Sequence, residues 1–246
     1  MEKAGVDFME LTKSKYEEDS DKDKGINAPP LELPYDFKVE IIDLKDPSEL
    51  NIQDISLRDA IEGRRTLRIY GEEILTLEEL TYLLWCTQGV KEIRVGKVTF
   101  RNVPSAGSRH AFESYILVNK VKGLEPGIYR YIATENKLIK VVMDEDIREK
   151  VITACHDQKF IGNAGVFFMW VAVPYRMSWK YGERSYRYLH LDAGHVCQNL
   201  YLAAESIQCG ACAIGSFDDD ELNSLLGLDG IEQFVIYAAA VGKNRK

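Results

Sequence analysis

The sequence predicts a globular domain of mixed α and β class, on three observations. Residues 164–173 (AGVFFMWVAV) form an unbroken apolar run, the length and composition of a strand buried on both faces. Residues 186–207 instead carry Leu189, Ala193, Val196, Leu200, Ala203 and Ile207, spaced by four and three in turn, which is the stripe of a long core helix. Shorter β-branched and apolar runs at 114–119, 127–131, 137–142 and 234–241 read as further strands. At 246 residues the chain is long enough to bury a substantial core around them.

Taken in order, residues 1–36 are polar and charge-dense and end in the breakers Pro29, Pro30 and Pro34, so they form an arm that is extended, disordered or laid across a partner subunit. Residues 37–246 make up the domain. Ser56 caps a short helix, SLRDAIEGRR, which weakens at Gly63. Thr76 and Glu79 form a capping box ahead of Leu77, Leu80, Leu83 and Leu84, a helix that Gly89 ends. A basic stretch from Lys91 to Arg101 leads to a turn-rich segment, Pro104 to His110, and then to the first strand. Asp144 to Cys155 is a helix with acids in its first turn, and Pro174 stops the central strand. Gly210 to Phe217 is small and apolar, and Asp218 to Leu226 is a short helix capped by its acids. No internal repeat is present.

Charge and cysteine usage narrow the function. A net charge of −8 opposes sequence-independent binding to nucleic acid or to an anionic membrane, both of which need a positive field. The N-terminus lacks the apolar core of a secretory signal, and no apolar run approaches the ~20 residues that span a bilayer, so a cytoplasmic location is the default expectation. Five scattered cysteines do not make a disulfide framework. Cys209 and Cys212 form a lone C-x-x-C with no second pair at zinc-like spacing; buried small residues explain it better than a dithiol or a metal.

Four segments carry candidate chemistry. Arg64, Arg65, Thr66 and Arg68 offer three guanidiniums and a hydroxyl in five residues, suited to a phosphate and a ring carbonyl; a solvated basic helix end is the ordinary alternative. The loop Pro104 to His110 lets backbone approach a flat ring, or is simply a loop before a strand. Gly210 to Gly215 lets peptide N–H groups reach a ring edge, or is a glycine-containing strand end. Lys243 and Arg245 follow the last strand and reach a phosphate, or are solvated terminal charges. Together these meet the needs of flavin mononucleotide: cations for its phosphate, a backbone-lined slot for its ring, and positive charge for its reduced form.

With those segments in that order, the chain resembles the nitroreductase superfamily, and within it the SagB-type dehydrogenase branch, from about residue 55 to the C-terminus. The resemblance rests on RRTLR with LTLEELTYLLWCTQGV, on RNVPSAGSRHAFESYILVNKVKGLEPGIYRY, on WKYGERSYRYLHLDAGHVCQNLYLAAESI, and on GACAIGSFDDDELNSLLGLDG followed by VGK. It implies an α+β fold of three layers, a mainly antiparallel or mixed sheet between helices, completed by homodimerisation with FMN at the subunit interface. It also implies NADH or NADPH as electron donor, a small molecule or a peptide as second substrate, and no bound metal. By the same resemblance Arg64, Arg65, Thr66 and Arg68 hold the phosphate and the pyrimidine edge, Pro104, Ser105, Ala106 and Ser108 lie on the ring, Ala213, Ile214 and Gly215 face its reactive nitrogen, and Lys243 and Arg245 supply the C-terminal cation. Many members have Asn where Ser108 stands, and typical members have Gln-Pro where this chain has His110-Ala111.

Relatives that oxidise azolines in modified peptides use an adjacent Lys and Tyr in proton transfer, which Lys180-Tyr181 matches. Removing a carbon-bound proton and a hydride requires such a base, and Arg184 and Arg187 would activate the pair only by folding back onto it. The alternative is a structural role, with Tyr181, Tyr186 and Tyr188 packing at the dimer seam. His195, Gln198 and Asn199 read as buried hydrogen-bonders, and Asp218 to Asp220 as a helix cap. Three functions follow for comparison: an FMN oxidoreductase passing electron pairs from NAD(P)H to a quinone, nitroaromatic or similar acceptor; an azoline dehydrogenase; and a flavin-binding scaffold with little turnover. A dithiol enzyme using Cys209 and Cys212 is the fourth.

Overall fold

The computed structural model describes residues 3–94 and 98–245. From the N-terminus the elements are α1 (Ala4–Leu11), β1 (Ile41–Asp43), α2 (Leu57–Gly63), α3 (Leu77–Gln88), β2 (Val90–Arg94), β3 (Val98–Arg101), β4 (Phe112–Val118), β5 (Gly127–Ile132), β6 (Lys137–Val142), α4 (Ile147–Ala154), α5 (Phe160–Asn163), β7 (Val166–Ala172), α6 (Pro174–Tyr181), α7 (Ser185–Ser206), β8 (Cys209–Ile214), α8 (Asp219–Leu225) and β9 (Phe234–Lys243). Seven strands form one sheet in the order β1-β6-β5-β4-β7-β9-β8, every neighbouring pair antiparallel, and β2 and β3 form a separate hairpin from the basic stretch. The tip of that hairpin, 95–97, lies outside the described residues.

The sheet is the middle of three layers. Along β7, Val166, Phe168, Trp170 and Ala172 face a core shared with Leu80, Leu83 and Leu84 of α3 and with Leu189, Ala193, Val196 and Leu200 of α7. Phe167, Met169 and Val171 face the opposite core, with Ile147 and Val151 of α4 and Leu222 next to α8's acids. Two buried faces are why this strand reads as an unbroken apolar run, and each large side chain so buried stabilises the fold by ~1.5–3 kcal/mol.

The cap signals hold at their positions. Ser56 accepts from the Asp59 N–H, Thr76 and Glu79 make a reciprocal box, and Asp218 accepts from the Glu221 N–H. Pro174 ends β7 but also opens α6 as its first residue, where its missing N–H costs nothing. His195 and Gln198 correct their sequence reading: both are exposed on α7, and only Asn199 acts as an interior hydrogen-bonder, donating to the Cys86 and Asn102 carbonyls.

The N-terminal arm contains α1 and lies along its own chain. Arg184 donates to the Thr12 carbonyl and Arg187 to the Met9 carbonyl and the Thr12 hydroxyl. Further on, the Lys22 N–H donates to the Trp179 carbonyl, and Trp179 Nε1 to the Ile26 carbonyl. Residues 30–34 close over a buried charge cluster: Arg176 donates to Pro30, Arg130 to Leu33 and Pro34, and Glu113 accepts from Leu33 N–H and from Arg176. No helix among the described residues is long and apolar enough to cross a membrane.

Candidate active site

The arginine segment is fixed by the sheet edge. Thr66 bridges Ala211 of β8, and the Leu67 N–H donates to the Ala211 carbonyl at 2.9 Å. Gly210 permits this approach, because a Cβ there would strike the Leu67 side chain. Tyr201 of α7 locks the arrangement: its hydroxyl accepts from the Ala213 N–H at 2.9 Å and lies 3.2 Å from Thr66 Oγ1, while the Arg64 guanidinium sits 5.3 Å from its ring centre. The first and third segments therefore meet. Ala213 has spent its N–H on Tyr201; alternate residues along a strand share an edge, so the next N–H on that edge belongs to Gly215, which is exposed.

Arg68 points to a neighbouring cleft of about 420 Å³ with Arg245, Lys120 and Asn163, where Glu72 is the single acid. Arg65 is exposed on the same segment, and Ile214 is buried, paired with Ala238 of β9. Lys243 is committed elsewhere: its ammonium donates to Glu79 of the α3 capping box and to the Ile207 carbonyl. The fourth segment is thereby divided, Arg245 sharing the cleft and Lys243 joining α3 to β9.

The second segment lies at the other end of α7. Ser105 Oγ accepts from the His110 N–H at 2.9 Å, and Asp192 accepts from the Ala106 N–H at 3.3 Å and from the Ser105 hydroxyl. Gly107, Ser108 and His110 all have positive φ, so the turn is tight. At Gly107 a Cβ would collide with both the Tyr181 hydroxyl and Lys180 Nζ, which places the loop directly against that pair. Pro104 precedes it, exposed. Lys180 Nζ is 5.1 Å from the Tyr181 ring centre, and Tyr181 packs edge-on against Tyr188. Arg184 and Arg187 turn to the arm instead of the pair. Burial pushes the Asp192 carboxyl up, opposed by the Ser105 and Ala106 hydrogen bonds. Burial, helped by Arg101, pushes His110 down to about 3, so its ring is neutral.

Asp192 and Tyr201 are nine residues apart, which is about 14 Å along the helix. The two groups of candidate residues thus form two separate half-sites hung on α7. Three residues in them, Tyr201, Asp192 and Lys120, carried no sequence signal, because each gains its role from partners more than 10 residues away in the chain. Cys209 and Cys212 fail as a dithiol. Three residues apart on a strand they face opposite sides, Cys209 in the α3–α7 core and Cys212 in the other. Burial also pushes the Cys209 thiol up to about 12.

The Nitroreductase family model matches residues 61–243. A protein of Methanocaldococcus jannaschii, provisionally described as a nitroreductase, is 34% identical over 193 residues, covering 78% of this chain and 93% of its own. The trifolitoxin-processing protein TfxB of Rhizobium leguminosarum bv. trifolii is 27% identical over 180 residues, covering 70% of this chain and 47% of its own. Among solved structures, a provisional nitroreductase from Anabaena variabilis is 33% identical with a TM-score of 0.63; the match covers 76% of this chain but only 37% of that one. The Escherichia coli microcin synthetase McbBCD complex, with truncated pro-MccB17 bound, contributes a chain 15% identical with a TM-score of 0.60, covering 99% of this chain and 93% of that one. A provisional nitroreductase from Desulfovibrio desulfuricans in complex with FMN is 19% identical with a TM-score of 0.55, covering 79% and 89%. With the family model spanning most of its three-layer domain, the chain belongs to the nitroreductase family of oxidoreductases.

Proposed function

We propose that this chain is an FMN-dependent oxidoreductase that works as a homodimer, taking electron pairs from NADH or NADPH and passing them to a quinone, a nitroaromatic or a similar acceptor. The observation that carries the reading is the convergence of Arg68, Lys120 and Arg245 on one cleft beside the sheet edge that holds Thr66 and Gly215. Three cations against one acid fit a phosphate, and the exposed Gly215 edge leaves room for a flat ring. Bound there, FMN supplies the two-electron redox centre. Arg68 and Arg245 would neutralise its phosphate, Arg64, Arg65 and Thr66 would hold the pyrimidine edge, and the Gly215 N–H would donate to the ring, with Ala213 and Ile214 shaping the wall. Lys243 adds a cation only if its pair with Glu79 opens.

The separation of the two half-sites supports the homodimer. One subunit's arginines and its Pro104, Ser105, Ala106 and Ser108 loop stand too far apart for one ring, and a second copy would supply the missing half. The surface for it is present: Leu191 is 56% exposed on α7, beside exposed Gly194 and His195, and Leu57 of the adjacent α2 is 68% exposed. Purified protein should be yellow, sediment as a dimer and oxidise NAD(P)H in the presence of a quinone. A colourless protein that gains no FMN on reconstitution overturns the reading; bound flavin with negligible rates for every acceptor favours the scaffold alternative.

A second reading is favoured by the contact between the Gly107 loop and Lys180-Tyr181. The pair would take the carbon-bound proton of a peptide azoline, onto a neutral Lys180 amine or a Tyr181 phenolate, while the hydride from the neighbouring carbon would go to the flavin. The likeness to TfxB and to the McbBCD chain supports a modified-peptide substrate. Lys180→Ala and Tyr181→Phe should then abolish azole formation while retaining flavin; full activity in both removes the role.

A further inference from the structure

Beside the Gly107 loop, a cavity of about 420 Å³ is lined by Lys22 and Asn27 of the arm, Gly107, Arg109, Trp179 and Lys180, with no carboxylate among its described lining residues. In a chain of net charge −8, a cavity with three cations and no acid is not a random sample of the surface. Arg109 is 6% exposed, its guanidinium 4.7 Å from the Trp179 ring centre; Nε is held by the Arg176 carbonyl at 2.8 Å, which leaves its two terminal nitrogens for the cavity. Among the described residues none of the three cations forms an ion pair: Asp23, next to Lys22, turns its carboxylate onto Ser20, and Glu113 is occupied by Arg176 and Leu33. Burial and the nearby Arg176 both disfavour the charged form of Arg109, and only the Tyr181 phenol, with no carboxylate, opposes them. A buried cation kept without a counter-ion is a cost to the fold unless a ligand supplies one.

We infer that this cavity binds an oxyanion, the carboxylate or phosphate group of a ligand, through Arg109 and Lys22 with Trp179 as a flat wall. A planar guanidinium backed by an indole presents its terminal N–H pair to two oxygens at once, which suits both groups. Lys180 borders the same space, so the ligand lies next to the reacting groups. That it is a reacting substrate or the nicotinamide donor rests on the proposed function; the anion site itself does not.

Titration calorimetry of the protein as purified, with benzoate, pyrophosphate and neutral benzamide as probes, tests this without turnover. Wild type should bind at least one anion and not benzamide, and Arg109→Gln and Lys22→Glu should each weaken it by about ten-fold or more. Lys22 is exposed, so its variant decides the matter if Arg109→Gln fails to fold. Absence of anion binding up to about 10 mM, or Lys22→Glu binding like wild type, overturns the inference. The source is read from kinetics: a KM for NADPH raised in Lys22→Glu with that for NADH unchanged assigns the phosphate, and a KM raised only for a carboxylate-bearing quinone, against its neutral parent, assigns the acceptor. If turnover is absent, calorimetry still decides the site and only the functional reading fails.

Discussion

Gly215 directly follows β8 on its exposed edge, and an added Cβ there would meet only Tyr237, at 4.0 Å. Packing within the chain therefore does not require a glycine, whereas a ring bound against that edge as proposed would. Gly215→Ala should leave the thermal midpoint unchanged and weaken FMN retention by about ten-fold, ~1.4 kcal/mol; unchanged retention would remove Gly215 from the ring site. His110 makes a different prediction. Its folded pKa is pushed down to about 3 by burial, below the ordinary value of about 6.5, so between those values the unfolded chain binds more protons. Its contribution is fully present above pH ~6.5 and is lost as pH falls through the window, at up to about 1.4 kcal/mol per pH unit. Glu32, raised by burial and by Glu113, acts in the opposite sense, so the His110 part must be isolated by difference. Denaturant midpoints at pH 5 and pH 7 should differ less in His110→Gln than in wild type, and equal differences would refute the assignment.

At the scale of elements, α7 carries both half-sites, Asp192 toward one end and Tyr201 toward the other. Tyr201→Phe leaves the Ala213 N–H without its acceptor and removes the Thr66 contact, a loss of ~1–3 kcal/mol. Flavin affinity should fall with it, since the arginine segment loses its lock to the helix; a variant with native stability and affinity would show that β8 alone holds the segment. Elements with a strong local period or a cap were legible in the sequence: α2, α3, α7, α8 and β7 lie within a residue or two of expectation. Those missed, α1, β1, α5, α6 and the β2–β3 hairpin, are short or polar, and several are held by contacts distant in sequence, as β1 is by β6 and Trp179 of α6 by Ile26.

For the whole molecule, the arm is the largest departure from composition. Charge density and prolines argue for a segment with little to bury, yet residues 30–34 complete the Glu113–Arg176–Arg130 cluster, where even so Glu113 Oε2 and Arg130 Nε meet only as an ion pair at 4.0 Å and Arg176 Nη1 has no hydrogen-bond partner. A chain beginning at residue 29 should fold. One beginning at residue 37 loses the carbonyls and N–H that pair these buried charges, at ~3–5 kcal/mol, and should be recovered mainly as aggregate. Equal thermal midpoints for the two truncations would show that the cluster satisfies itself. Truncation to residue 29 also removes Lys22 and Asn27 and should weaken the proposed anion site without unfolding the domain.

The sequence by itself determined the alternation of buried strands and striped helices, the helix caps, and the identity of the cation-rich and small-residue segments, because periodicity, capping and composition are local properties. Tertiary structure alone decided which segments meet. Thr66 reached Ala211 through a backbone bridge, Arg68 came to share a cleft with Arg245 while Lys243 was drawn to Glu79, and Gly107 was pressed against Lys180 and Tyr181. Each of these pairings spans more than 70 residues, and none is one that periodicity could register, since a contact across the sheet leaves no repeat in the chain; it arises only when burial of both faces of β7 fixes the strand order and, with it, the edge on which the site is built.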